Sequence, residues 1–284
     1  MWSRNKANLY IRDALNDFHY DPKALPSPIA QRKIYRNKLM LTHLVGFGGG
    51  ASALAGTSYD YPADSDYLQA PHSADWDFGS GDFTLDTWVR LDGPTTLEPL
   101  CSQAEDGNAA WYWNIRDTGP GINFKYTTDG TNAITHTWST WTASADTWYH
   151  IMVALSGDDF RCFIDGTQLG DTKTMSDTIY NSSKVLQVAF GGNGGASGLW
   201  HYDSMQGFMD EFRISKGVAR ETSNFTPSIV EYSSDVNTQL LIHCSETILS
   251  GTTGSGATFT DSGNTGHTIT EIGSAIRSSA QYKF

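Results

Sequence analysis

Short runs that alternate apolar and polar side chains, separated by tight turns, constrain this chain more than any other feature of its sequence. In the run FTLDTWVRL, residues 83–91, one face of an extended chain carries Phe83, Leu85, Val89 and Leu91. The opposite face carries Thr84, Asp86, Trp88 and Arg90. Because successive side chains of a strand point to opposite faces, this run predicts a half-buried antiparallel strand.

Further runs of this kind cover residues 110–116, 122–126, 133–138, 147–155, 160–164, 185–190 and 205–215. Residue pairs typical of tight hairpin turns separate several of them, namely Asp129-Gly130, Gly157-Asp158 and Asp165-Gly166. Many short strands at this spacing predict an all-β, two-sheet antiparallel sandwich. The chain has 284 residues, which is enough for one large β domain with a sizeable core.

Several motifs together resemble the laminin-G-like, concanavalin A-like jelly roll, in the version common in tailed-phage virion proteins. They are Asp66-Tyr67-Leu68, Asp75–Gly79, Gly81–Leu85, Trp88-Val89, Trp148–His150 and Ile214–Arg220. The resemblance implies a jelly-roll domain over residues 56–230. The segments in 231–284 are similar to the piece that normally opens such a module. We expect them either to complete the same sandwich or to pair with a neighbouring subunit in a homo-oligomer.

Residues 1–55 differ in composition from the rest and predict an anchoring arm. Through Val45 they carry eight Lys or Arg against three Asp, a net charge of +5, whereas the whole chain has −12. The side chains expected to dock are Trp2, Arg4, Tyr10, Arg12, Phe18, Tyr20, Arg32 and Tyr35. We expect them to meet an acidic protein surface; phosphate binding and a solvated tail are the alternatives.

The composition disfavours several other classes of partner and site. An acidic body repels polyanions, so we expect no nucleic acid there. The sequence contains no run of about 18 apolar residues, so no membrane span is predicted. No signal peptide is expected. Cys101, Cys162 and Cys244 are odd in number and lack metal-type spacing, which favours buried thiols.

The family that the chain resembles also includes glycanases, which need two carboxylates facing one cleft. In that family they alternate along one strand as Glu-x-Asp-x-x-Glu or Glu-x-Asp-x-Glu, and neither motif occurs here. Asp210 and Glu211 are adjacent, so alternation predicts opposite faces, with Asp210 beside Phe208 and Phe212 as a buried structural carboxylate. We therefore expect no catalytic residue, no cofactor and no enzymatic activity.

Exposed aromatic rings beside polar groups are the usual signature of sugar binding. The candidates are Trp200, His201 and Tyr202 in the glycine-rich loop 191–202, and Trp111 and Trp113 on a strand, with core packing as the alternative role. Loop carboxylates Asp60, Asp64 and Asp66 are the calcium candidates, and solvated acidic loops are the alternative.

These patterns favour a non-enzymatic phage virion structural protein, either a head decoration or a tail-fibre-like protein. Its arm would dock on another virion protein, and its sandwich would face outward on a particle assembled in the host cytoplasm. The alternative is a carbohydrate-binding module for host surface glycans, and a glycan hydrolase is the third hypothesis.

Overall fold

Side-chain alternation places the large apolar residues of this chain between two antiparallel β-sheets. The computed structural model describes residues 58–61, 66–93, 97–105, 107–115, 121–139, 141–192, 204–243, 259–273, 276–278 and 283. The predicted arm, residues 1–55, lies outside the described residues and remains a prediction. Among the described residues, no helix is long and apolar enough to cross a membrane.

The described strands, in chain order, are β1 (Ser58–Tyr61), β2 (Tyr67–Ala70), β3 (Phe83–Leu91), β4 (Glu98–Gln103), β5 (Trp111–Ile115), β6 (Ile122–Thr127), β7 (Ala133–Trp138), β8 (Trp148–Ser156), β9 (Asp159–Ile164), β10 (Thr167–Gln168), β11 (Lys173–Thr174), β12 (Leu186–Val188), β13 (Gly207–Lys216), β14 (Thr238–Ile242), β15 (Thr270–Ile272) and β16 (Ile276–Ser278). One 3₁₀ turn, Ala74–Trp76, follows β2.

The described strands form a nine-stranded and a seven-stranded sheet. The nine-stranded sheet runs β10-β9-β8-β3-β13-β1-β16, with β11 also paired to β9 and β14 to β13. The seven-stranded sheet runs β15-β2-β12-β4-β5-β6-β7. The predicted two-sheet antiparallel sandwich is therefore confirmed.

The core between the sheets is rich in aromatic side chains. Phe83, Trp111, Phe124 and Phe160 are completely buried, and the ring centroids of Phe124 and Phe160 are 5.0 Å apart. The predicted inward face of β3 is confirmed, because all four of its apolar residues belong to this core. Cys101 and Cys162 are free, buried thiols, and burial raises the pKa of each well above its usual value. Cys244 lies outside the described residues.

Two of the predicted hairpin turns join neighbouring strands of the nine-stranded sheet. Gly157-Asp158 connects β8 to β9, and Asp165-Gly166 connects β9 to β10. Asp165 and Gly166 have φ values of 48° and 75°, as a type I′ turn requires. A Cβ atom at Gly166 would lie 2.1 Å from the carbonyl oxygen of Phe225, so only glycine fits there.

The outer face of the nine-stranded sheet is covered by a segment that follows β13, residues 217–237, here called the strap. The Thr84 hydroxyl donates to the carbonyl of Val218 at 3.0 Å, and the ring of Phe225 packs edge-on against His150 and Phe163. Every residue of β3 is consequently buried. The prediction of a half-buried strand is wrong, because the polar face is covered as well, by the strap at Thr84 and by Asp146 and Phe208 at Arg90.

A β-bulge in β13 corrects the predicted orientation of its carboxylates. Pairing with β3 shifts by one residue between Asp210 and Arg213, and Glu211 adopts a left-handed φ of 52°. Asp210 is paired with Trp88 on the outer face, whereas Phe212 belongs to the core. Asp210 is buried as predicted, but the prediction that it shares a face with Phe212 is wrong.

The last described strands add to both sheets of the same chain. β14 pairs with β13, β15 with β2 and β16 with β1, all antiparallel. The domain boundaries 1–55, 56–230 and 231–284, and the alternative of pairing with a neighbouring subunit, remain predictions.

Candidate ligand-binding site

A row of hydrogen-bonding side chains crosses the outer face of the seven-stranded sheet from one edge to the other. Each member is the register partner of the next, so that neighbours lie side by side on one face. In order, this long row consists of Thr270, Gln69, Gln187, Ser102, Tyr112, Lys125 and Thr135.

The orientation of the long row follows from strand alternation. The residues that flank its members in sequence belong to the core, for example Leu68 and Ala70 around Gln69, and Leu186 and Val188 around Gln187. Since successive side chains point to opposite faces, the row lies on the side of the sheet that faces away from the core.

A second, short row lies beside the long row and consists of Asn114, Asn123 and Thr137, which are register partners on β5, β6 and β7. The Thr137 hydroxyl donates to Asn123 Oδ1 at 2.9 Å, and Asn114 Nδ2 donates to the carbonyl of Ile115 at 2.8 Å. These bonds fix the amide orientations. The two rows together present amide, hydroxyl and phenol groups on three adjacent strands.

Two buried polar atoms of this surface lack hydrogen-bond partners in the described structure, namely Ser102 Oγ and Asn114 Oδ1. Both residues are completely buried. A buried polar atom without a partner costs about 1 to 3 kcal/mol, so its retention calls for an explanation. Because both residues are completely buried, a ligand hydroxyl group would reach these atoms only after the groups that cover them move.

The accessible end of this surface lies on β6 and β7. Asn123, Lys125 and Thr137 are half-buried there, and Thr135 is exposed. The ammonium group of Lys125 lies 5.7 Å from the ring centroid of the buried Tyr112, within the range of a cation–π interaction. Lys125 is the charged member of the two rows, and neither row contains a carboxylate.

The family described as laminin G 3, the concanavalin A-like lectin/glucanases superfamily, matches residues 62–223, more than half of the chain. The chain belongs to this superfamily. The match contains every residue of the two rows except Thr270, and it confirms the predicted laminin-G-like, concanavalin A-like family. The tailed-phage context has no support in this match and remains a prediction.

Three solved structures resemble the chain at low sequence identity. A Bacteroides ovatus protein whose name suggests carbohydrate binding is 12% identical, with a TM-score of 0.49 over 78% of this chain and 60% of its own. Mouse laminin α1 domains LG4-5 are 14% identical, with a TM-score of 0.41 over 61% and 48%. Domain 4 of an extracellular arabinanase from Geobacillus stearothermophilus, in complex with arabinotriose, is 16% identical. Its TM-score is 0.40, over 54% of this chain and 68% of its own. None of the curated proteins matches the chain. The chain spans less than two thirds of the length of the Bacteroides ovatus protein and of the mouse laminin domains.

Trp111 and Trp113, two of the residues predicted to bind sugar, do not lie on the surface of this concanavalin A-like domain. Trp111 and Trp113 are completely buried in the core, where Trp111 Nε1 donates to the carbonyl of Trp76 at 3.2 Å. A buried indole has no free face for a sugar, so the ligand-binding role predicted for these two is corrected to core packing. Trp200, His201 and Tyr202 lie outside the described residues.

Of the three carboxylates proposed for calcium, the structure describes the side chain of Asp66 alone. Asp60 lies in β1, Asp64 lies outside the described residues, and Asp66 is buried with 1% of its surface exposed. Within the described ranges, no group of three or more His, Cys, Asp or Glu residues could hold a metal ion.

Carboxylates of the nine-stranded sheet are held in a buried ionic network under the strap. Asp86 accepts from Arg213 Nε at 3.0 Å and from Nη2 at 2.8 Å, and His150 Nε2 lies 3.6 Å from Asp86 Oδ2. Burial alone would raise the pKa of Asp86, but Arg213 and His150 hold that pKa well below its usual value. Glu211 pairs with His243 Nδ1 at 2.7 Å. These contacts give the carboxylates a structural role.

Sequence reasoning missed both polar rows. Their members stand singly in separate strands, such as Gln69 in β2 and Gln187 in β12, about 120 residues apart in the chain. The signal present in the sequence was one polar residue between two core residues, repeated in several strands. Only the register shows that these residues form one surface.

Proposed function

We propose that this concanavalin A-like domain is a glycan-binding module whose ligand lies across the long and short rows. The observation that carries the proposal is the continuous polar surface itself, with Ser102 Oγ and Asn114 Oδ1 left without partners inside it. Membership of a superfamily that includes lectins agrees with this function.

The chemistry of the rows matches that of a saccharide. Sugar hydroxyl groups both donate and accept hydrogen bonds, and so do the amides of Asn114 and Asn123 and the hydroxyls of Thr135 and Thr137. The ligand would enter from β6 and β7, where the rows are accessible, and extend toward the buried amide of Asn114.

Binding without hydrolysis is favoured by the composition of the same surface. A glycanase of this type needs two carboxylates about 5 to 10 Å apart on either side of the scissile bond. The members of both rows include no Asp or Glu. On the same sheet, Glu98 of β4 and Glu271 of β15 are register partners of the core residues Ile115 and Leu68, so they lie on the face opposite the rows. Asp86, Asp210 and Glu211 belong to the other sheet, where ion pairs and hydrogen bonds hold Asp86 and Glu211.

A glycan array followed by calorimetry with the best ligand tests this function. Asn123→Ala and Lys125→Ala should each weaken binding about two- to tenfold, the cost of one hydrogen bond at 0.5 to 1.5 kcal/mol. Thr222→Ala, an exposed threonine of the strap, is the matched control and should bind like the parent. Parent-like affinity in both row variants, or no glycan bound by the parent, would refute the proposal.

Attachment to a phage particle is a separate proposal, supported by the basic, aromatic composition of residues 1–55 and by the motif resemblance. Glycan binding is compatible with it, since a virion protein displayed outward would meet host surface glycans. Full-length protein carrying Arg12→Glu and Arg32→Glu should lose cosedimentation with particles if the arm docks on an acidic virion surface. Unchanged cosedimentation would contradict the arm's role.

A further inference from the structure

A depression beside the β6–β7 hairpin lies outside both polar rows. It has a volume of about 650 Å³ and is lined by Thr128, Asp177, Thr178, Ile179, Tyr180 and Asn181. We propose that this end depression is a second saccharide site, which binds a neutral sugar residue through vicinal hydroxyl groups. The site shares its ligand class with the proposed function but rests on different residues.

The backbone of the end depression is fixed by long-range hydrogen bonds. Ile179 N–H donates to the carbonyl of Gly79, and Tyr180 N–H donates to the carbonyl of Thr127, each at 2.8 Å. The Ile179 side chain is buried in the core and anchors the segment from below. The lining is therefore held in place before any ligand arrives, which lowers the entropic cost of binding.

One wall of the end depression is an aromatic ring packed against backbone. Gly130 has a φ of 83°, and a Cβ atom there would lie 3.1 Å from two ring atoms of Tyr180. The absence of a side chain at Gly130 lets the ring approach the hairpin closely. Tyr180 remains partly exposed, so part of its ring is available for contact with the apolar face of a sugar.

The carboxylate of the end depression is oriented by a hydrogen bond from the core. The Tyr126 hydroxyl donates to Asp177 Oδ2 at 2.7 Å, while Asp177 itself is exposed. Burial and the nearby Asp177 raise the pKa of Tyr126, so the phenol stays protonated and remains a donor. An ionised carboxylate held in this way can accept hydrogen bonds from two adjacent hydroxyl groups of one sugar ring.

The remaining lining groups complete the recognition chemistry. Thr128, Thr178 and Asn181 are exposed and carry groups that both donate and accept hydrogen bonds. The single carboxylate, Asp177, repels an anionic sugar at close range. The combination of a carboxylate, an amide, two hydroxyls and an aromatic ring therefore favours a neutral saccharide over a uronate.

Nuclear magnetic resonance titration of the full-length chain with methyl glycosides of neutral hexoses tests this inference. Backbone amide shifts should move at Thr128, Gly130 and Asn181 with at least one glycoside. Asp177→Asn retains an acceptor for Tyr126 but loses the charge, and it should raise the dissociation constant roughly tenfold or more. Asp171→Asn, an exposed aspartate on the preceding loop, is the matched control and should leave the constant unchanged.

The same spectra separate failure of this site from failure of the proposed function. Shifts at Asn123 and Thr135 without shifts at Asn181 would retain the glycan-binding rows and overturn the second site. Shifts at the end depression that persist unchanged in Asp177→Asn would also overturn it. No shift in either region with any glycoside counts against the second site alone, since the rows are tested by the glycan array.

Discussion

Replacing Arg213 by methionine would leave a fully buried carboxylate without its cationic partner. Asp86 has no exposed surface, and the Arg213 side chain is 11% exposed, with its guanidinium carbon 4.0 Å from the ring centroid of Tyr232. Methionine retains much of the aliphatic stem and can still pack against Tyr232. The substitution therefore removes mainly the charge and its two hydrogen bonds to Asp86.

The expected loss in the free energy of unfolding is about 3 to 5 kcal/mol, the usual cost of removing one partner of a buried ion pair. For a domain of this size, that corresponds to a fall in Tm of roughly 6 to 20 °C. Asp86→Asn should cost less, because the guanidinium of Arg213 keeps some contact with water. Urea unfolding at neutral pH measures both values, and the doubly substituted chain should lose less than their sum.

The pH dependence of the free energy of unfolding gives the sharper test, because its sign in Arg213→Met should be opposite to that in the parent. In the parent, the pKa of Asp86 is lowered, so its stabilisation is present above about pH 4 and is lost as pH falls. In Arg213→Met, His150 remains near Asp86, but burial without the guanidinium should raise that pKa, so stability should instead fall as pH rises above about 4. A loss below about 1 kcal/mol, or a loss independent of pH, would refute the reasoning.

Two further predictions concern the backbone and the second ion pair of β13. Gly207→Ala should destabilise by about 2 kcal/mol or more in urea unfolding, because φ is 137° and the new Cβ would lie 2.2 Å from a carbonyl oxygen of β3. Gly157→Ala, with φ 59° and open space, should cost only about 1 kcal/mol, and equal losses would contradict the clash. Burial opposes charge on His243, but Glu211 raises its pKa, so their pair stabilises fully below about pH 6.5 and less as pH rises. His243→Gln should therefore cost about 1 to 2 kcal/mol near pH 5.5 and less near pH 9, and a pH-independent loss would count against this ion pair.

The sheet architecture could be predicted because its signals are local. Alternation within residues 83–91 identified the core face of β3, and Asp165-Gly166 identified a hairpin whose dihedral angles require those residue types. Each signal spans fewer than ten residues, and each depends only on the pleat of a strand or on turn geometry. Such features do not require knowledge of the partner strand.

The errors arose where a distant segment or an irregular residue intervened. Burial of Thr84 on the polar face of β3 depends on the strap, which lies more than 120 residues later in the chain. The bulge at Asp210 places a glutamate at a positive φ, a conformation that glycine usually signals, and nothing local in the sequence marks it. The one-residue shift in β13 therefore places Asp210 on the face opposite Phe212, whereas simple alternation predicts one shared face.

The two outer faces of the sandwich use polar residues in different ways, and this difference supports the proposed location of the ligand. On the nine-stranded sheet, Asp86 pairs with Arg213, while Glu211 pairs with His243 and accepts from the backbone N–H of Tyr232 in the strap. On the seven-stranded sheet, Ser102 and Asn114 are just as buried, yet an oxygen of each has no partner in the described structure. A buried atom of the strap-covered face, His150 Nδ1, also lacks a partner, so the two faces differ in the kind of group they carry: ion pairs on the nine-stranded sheet, and mainly neutral amides and hydroxyls in the rows. Neutral amides and hydroxyls both donate and accept hydrogen bonds, as sugar hydroxyl groups do, and this match is the reason why we propose the ligand on this face.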